Sequence, residues 1–242
     1  MATGVASGVR STAGFLAFAL GAMPLPAAGS ESVDGATPAF QLSANASIVS
    51  DYRFRGISLS GKDPAIQGGI DLSHDSGLFI GTWASSIADS GGSNTELDLY
   101  GGYGGSLAGI DYSVTALAYV YPGGQGVNYF EVLGSATTRL GTGSVGLDMG
   151  WVPRQDNFGG DNIYIAAKGQ VPLGSLPVSM FGHLGYENGD AYDRKWDWEA
   201  GLSYASGPLT ASLSYVDTNY SGADEAGRFA RAGVIASLAA SF

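Results

Sequence analysis

The sequence predicts an all-β fold: a transmembrane, antiparallel, up-and-down barrel of about twelve strands around a polar lumen. Three observations predict it. Residues 40–55, FQLSANASIVSDYRFR, alternate apolar and polar side chains along their whole length. Period two is the mark of a strand with two unlike faces. Strands of soluble domains average about 5–6 residues, whereas a tilted strand crossing a bilayer needs about 9–11. The second observation is that such segments recur to the end of the chain, with connectors that alternate between short and long. Short turns on one side and longer loops on the other are the pattern of outer-membrane barrels. The third is composition: 39 glycines and no cysteine, with lysine only at positions 62, 168 and 195. A soluble acidic surface normally scatters lysine among its carboxylates.

Composition also excludes. Without cysteine there is no disulfide framework, Cys-based zinc site or thiol nucleophile. A net charge of −11 argues against nucleic-acid binding, because phosphate contacts need a basic footprint. No apolar run approaches the ~20 residues of a spanning helix, so a membrane form must close a barrel to satisfy its backbone.

In chain order, residues 1–29 have the form of a secretory signal. Arg10 supplies the positive region, AGFLAFALGAMPLP the apolar core, and Ala27 to Gly29 a small-residue cleavage site. Residues 30–39 are a polar periplasmic leader, and 40–242 the barrel. The opening strand is expected over 40–55, with a polar loop at 56–64. Alternation resumes at Ile66, Ile70 and Leu72 and stops at the Asp75-Ser76-Gly77 turn. Residues 78–85 have an open register, since Leu78 and Ile80 share one parity while Phe79 and Trp83 share the other. A Gly/Ser loop at 87–94 precedes a strand at 95–105, and a turn at 107–109 leads into 110–121. Beyond the loop at 122–128, strands over 130–137 and 145–151 flank a turn at 141–143. A loop at 153–160 separates these from strands at 163–168 and 178–186, joined by a turn at 172–176. A charged loop at 187–194 leads to strands at 196–204 and 209–215, then a loop at 218–227 and a closing strand at 230–242.

Alternation alone does not say which face meets lipid; three features choose the apolar one. The charged face is too rich in Gly, Ser and Tyr to be the outside of a soluble barrel. Aromatics on the apolar face fall into two bands, as at two headgroup girdles. Phe40, Tyr103, Tyr112, Tyr204 and Phe242 sit at the turn ends. Tyr52, Phe54, Phe130, Trp151, Tyr186, Trp196, Trp198 and Tyr215 sit at the loop ends. The last strand ends in Phe242, the terminal residue that barrel-assembly machinery commonly recognises. Outer-membrane lipid and that machinery are therefore the expected partners.

The segment IVSDYRFRGISLSGKDPAIQGGIDLSHDSGLFIGTWASSI, residues 48–87, resembles the opening of the TorF-family porins. TELDLYGGY at 95–103, YPGG at 121–124 and NYFEV at 128–132 resemble that family's next blocks. Beyond Val132 only the strand rhythm carries over. The resemblance implies a small outer-membrane barrel of porin type, with no catalytic residues.

Twelve strands at ~4.8 Å spacing and ~40° tilt give a backbone radius of about 12 Å, which leaves a narrow lumen for small solutes or ions. Its candidate lining is acidic: Asp51, Asp71, Glu96, Asp98, Asp111, Glu131, Asp148, Asp197 and Glu199. Against these stand Arg53, Arg55, Arg139, Lys168 and Arg231. Acidic rings favour cations, so a mild cation preference is expected. A transverse field is a further expectation, with Arg53 and Arg55 facing Glu96, Asp98 and Glu131 near the loop mouth. The same charges could instead pair and plug the barrel as a polar core. A plugged barrel would then be structural or adhesive, binding partners through its loops.

No cofactor or metal is expected, and no enzyme. The one enzymatic alternative is an outer-membrane phospholipase using a Ser–His pair. His74-Asp75-Ser76 offers its elements, but in a segment that turn chemistry already explains.

Overall fold

In the computed structural model, residues 39–222 and 225–242 are described. The signal segment at 1–29 and leader residues 30–38 lie outside them. The strands are β1 (Phe40–Val49), β2 (Arg53–Phe54), β3 (Ile57–Ser58), β4 (Ala65–His74), β5 (Leu78–Ser90), β6 (Ser93–Leu107) and β7 (Ile110–Val120). They continue as β8 (Tyr129–Leu140), β9 (Gly143–Val152), β10 (Asn162–Pro172), β11 (Val178–Gly189), β12 (Lys195–Ser206), β13 (Leu209–Thr218) and β14 (Gly233–Ser241). One helical turn, α1 (Glu225–Phe229), precedes β14. Twelve strands close a barrel in which each pairs antiparallel with its sequence neighbour in the wall, and β14 returns to β1. The short pair β2–β3 stands apart from that wall.

The alternation sorts the side chains as expected. Outward positions form an apolar belt: Leu42 is 73% exposed, Val114 57% and Phe242 77%. Inward positions carry Ser, Thr and charged residues together with Tyr100, Tyr119 and Tyr164. A soluble protein keeps its largest exposed apolar patch to a few hundred Å², while a belt around the whole waist is what a lipid-facing barrel presents. The register of β5 is settled too: Leu78 and Ile80 face out, and Trp83 packs inside against Tyr52 with ring centroids 5.5 Å apart.

Two expectations need correction. The connection between β5 and β6 is not an open loop over 87–94. Both strands run on beyond the belt to a tight turn at Gly91 and Gly92, whose φ values of 61° and 99° suit glycine. A register shift between Ser86 and Ser90 bends this extension, and Ala88 N donates to Leu59 O at 2.8 Å. The opening strand is also shorter than 40–55. β1 leaves the wall after Val49, so Tyr52 and Phe54 do not belong to the outer aromatic band. Tyr52 is buried, and Phe54 packs on Tyr119 inside the barrel at 5.9 Å.

Candidate functional site: a hairpin inside the lumen

After β1 the chain turns inward at the loop end. β2 and β3 pair through Arg53–Ser58 and Phe54–Ile57, closed by a turn at Arg55 and Gly56 with φ of 49° and 85°. Two positive φ values in a two-residue turn are the geometry whose twist matches antiparallel strands. Asx and Gly favour it, so arginine at its first position needs tertiary contacts to hold it. Those contacts are dense. Arg55 Nη2 meets Glu131 on β8 at 2.5 Å, and Nη1 meets Glu187 on β11 at 2.9 Å. Lys195 at the start of β12 pairs with Glu187 at 2.7 Å and donates to the Arg55 carbonyl at 2.7 Å. The guanidinium lies over the Tyr164 ring at 4.2 Å and the Phe54 ring at 4.6 Å. Tyr119 donates to Glu131, and Asn162 donates to Glu187.

Arg53 makes the second anchor. Its Nε meets Asp51 at 2.6 Å, while Nη1 donates to the carbonyls of Gly56, Phe229 and Arg231. Ser58 Oγ donates to the other oxygen of Asp51 at 2.6 Å. The hairpin is thus tied to the segment ahead of β14 on one side and to β8, β11 and β12 on the other. Around the loop-end half every strand of the wall buries an inward side chain, including Val49, Ala65, Ser85, Leu117, Val152 and Val216. The turn-end half is more open: the Lys168 side chain, paired with Asp148 at 2.7 Å, keeps 28% of its surface. The lumen is therefore a vestibule open toward the turns and filled by the hairpin toward the loops.

The predicted lining residues sort into four groups. Asp51, Arg53 and Arg55 lie inside the barrel, but on the hairpin instead of on a wall strand. Glu131, Asp148, Lys168, Asp197 and Glu199 line the wall in ion pairs, the last two on either side of His183 at 2.8 and 3.5 Å. Glu96, Asp98 and Asp71 line it with no cationic side chain among the described residues. Asp111, Arg139 and Arg231 are exposed, and Arg231 contributes only its backbone carbonyl to the hairpin. The expected transverse field is thus narrower: Arg55 faces Glu131, while Arg53 pairs with Asp51 and neither arginine pairs with Glu96 or Asp98.

Glu187 and Lys195, both almost wholly buried, escaped the sequence reading, which placed them in or beside a charged loop. Their signal was parity: Glu187 shares the inward phase of His183, and Lys195 that of Asp197. Gly150 on β9 explains how Arg55 fits. A Cβ there would collide with Glu131 Oε1 and lie 2.6 Å from Arg55 Nη2. Gly150→Ala is expected to cost about 1–3 kcal/mol by overpacking and to loosen the hairpin. A lower urea midpoint for the refolded variant than for the parent checks this; an unaltered midpoint contradicts it.

His74 and Ser76 do meet, with Nδ1 and Oγ 2.9 Å apart, but Ser76 N also donates to Nδ1 at 3.1 Å. The contact belongs to the turn between β4 and β5, and the geometry gives the serine no separate base.

The profile described as "Bacterial protein of unknown function (Gcw_chp)" matches residues 33–242, which contain the whole barrel. The chain belongs to the Gcw_chp family. Among solved structures, the Gcw_chp barrel resembles the KdgM porin, with a TM-score of 0.57 at 9% identity over 83% of this chain and 98% of that one. It also resembles the NanC porin, with a TM-score of 0.52 at 12% identity over 84% and 99%. These likenesses show the fold, a closed antiparallel barrel of the kind those two porins have; the barrel implied by the TorF resemblance is there, and the family matched by name is Gcw_chp. No curated protein matches it in sequence.

Proposed function

We propose that this Gcw_chp barrel is an outer-membrane, porin-like channel for passive diffusion of small solutes or ions, with a mild preference for cations. The observation that carries it is the charge of the interior within an apolar-belted wall. Eight carboxylates are buried among the described residues against three cations, Arg53, Arg55 and Lys195. Rings of acidic groups concentrate cations in a narrow pore, and the likeness to two barrels named as porins supports the channel reading. The signal segment would export the chain, and the closing strand ending at Phe242 would engage the assembly machinery.

The filled loop-end half makes the described conformation the low-conductance one. Displacement of the hairpin then opens the route. The same filling favours a second reading, a permanently plugged barrel acting through its loops. Single-channel recording in planar bilayers under a KCl gradient separates them. Conductance steps with a cation-sided reversal potential support the channel. Silence from both the parent and a hairpin-released variant supports the plug.

A further inference from the structure

We propose that the inner wall at Glu96 and Asp98 is a binding station for the primary ammonium group of a small organic cation. The inference rests on the channel reading and names the solute class that would pass. Glu131, Glu187, Asp148, Asp197 and Glu199 each have a cation or histidine at hand, but among the described residues these two do not. Glu96 is 1% exposed, and its two oxygens accept from Tyr52 and Tyr121 at 2.7 Å each. Asp98 is 6% exposed, and its Oδ1 is fully buried with no hydrogen-bond partner among the described residues. An ionised carboxylate taken out of water without a partner is costly, so this oxygen is an acceptor waiting for a donor.

The walls around it choose the donor. In register with Asp98 stand Trp83 on β5 and Tyr119 on β7. Tyr52 meets Trp83 edge-on, and Tyr129 stacks on Tyr119 at 4.2 Å. Aromatic faces attract ammonium groups once water is excluded. An ammonium carries three N–H donors, which suits one free oxygen beside a carboxylate that keeps spare lone pairs. Calcium would need about 6–8 oxygen ligands, and no group of three His, Asp or Glu able to hold a metal occurs among the described residues. Asp71, held only by Tyr100 at 2.5 Å, lies toward the turn end of the same wall and leads from the vestibule to the station.

The test uses the refolded barrel carrying W151F, W196F and W198F, so that Trp83 alone reports. Methylammonium chloride is titrated against sodium chloride at constant ionic strength. Trp83 emission is expected to change saturably with methylammonium, at a concentration about tenfold or more below any sodium effect, and Asp98→Asn should remove that advantage. Equal responses to the two cations, or an unchanged response in Asp98→Asn, would overturn the station. Should Asp98→Asn fail to give a heat-modifiable folded band, Glu96→Gln carries the same expectation. Methylammonium binding by a barrel silent in bilayers sustains the station and removes the channel. Conduction without a methylammonium-specific response does the reverse.

Discussion

Arg55→Ala is expected to raise single-channel conductance severalfold and to destabilise the barrel at the same time. The guanidinium is what fastens the hairpin tip to β8 and β11, through Glu131 and Glu187. Removing it leaves Glu131 with only the Tyr119 hydroxyl, deep in the wall. Breaking a buried ion pair by deleting one partner costs about 3–5 kcal/mol, because the other charge stays buried and uncompensated. Lys195 softens the loss at Glu187 but has no contact with Glu131. Arg55→Lys should rescue poorly, since a point-like ammonium does not bridge two carboxylates as a planar fork does. Conductance histograms and urea midpoints on the same preparations read both effects. A variant that is less stable yet conducts like the parent would mean that the hairpin does not obstruct the route.

Leu213→Arg should block folding into lipid, whereas Ser212→Arg, one residue earlier, should be tolerated better. Leu213 lies mid-strand on β13, 56% exposed in the outer belt. An arginine on the lipid face near the bilayer midplane costs about 2–4 kcal/mol. Ser212 points inward, where its hydroxyl meets that of Ser237 at 2.7 Å in the more open half of the lumen. The heat-modifiable folded fraction in phospholipid vesicles reads the contrast. If both variants folded equally, the assignment of the outer face to hydrocarbon would fail.

The wall of this barrel was largely legible because a strand's two faces are written in alternate residues. Leu42, Val114, Leu147 and Leu213 announce the belt without any knowledge of their partners. The hairpin was harder, and Tyr52 to Arg55 show why. These residues keep the alternation of β1 because β2 is itself extended, so period two describes them correctly while hiding that the chain has left the wall. The local clue was Arg55-Gly56, a turn pair midway through YRFRGISLSG. What the tip would touch was beyond local reading. Its partners Glu131 and Glu187 lie 76 and 132 residues further along, and only barrel closure brings them within reach. Glu187 was missed for a related reason: among Asn188, Asp190 and Asp193 it looks like one more loop charge.

That separation has a consequence for assembly. The tip of the hairpin is synthesised early, yet the acids that clasp it arrive only with the sixth and the ninth of the twelve wall strands. Contacts so remote in sequence carry a heavy loop-closure entropy and form late. Strands must therefore curl round a wet, unfilled interior first, and the stopper seats itself afterwards. A nascent barrel should pass through a leaky stage before it seals.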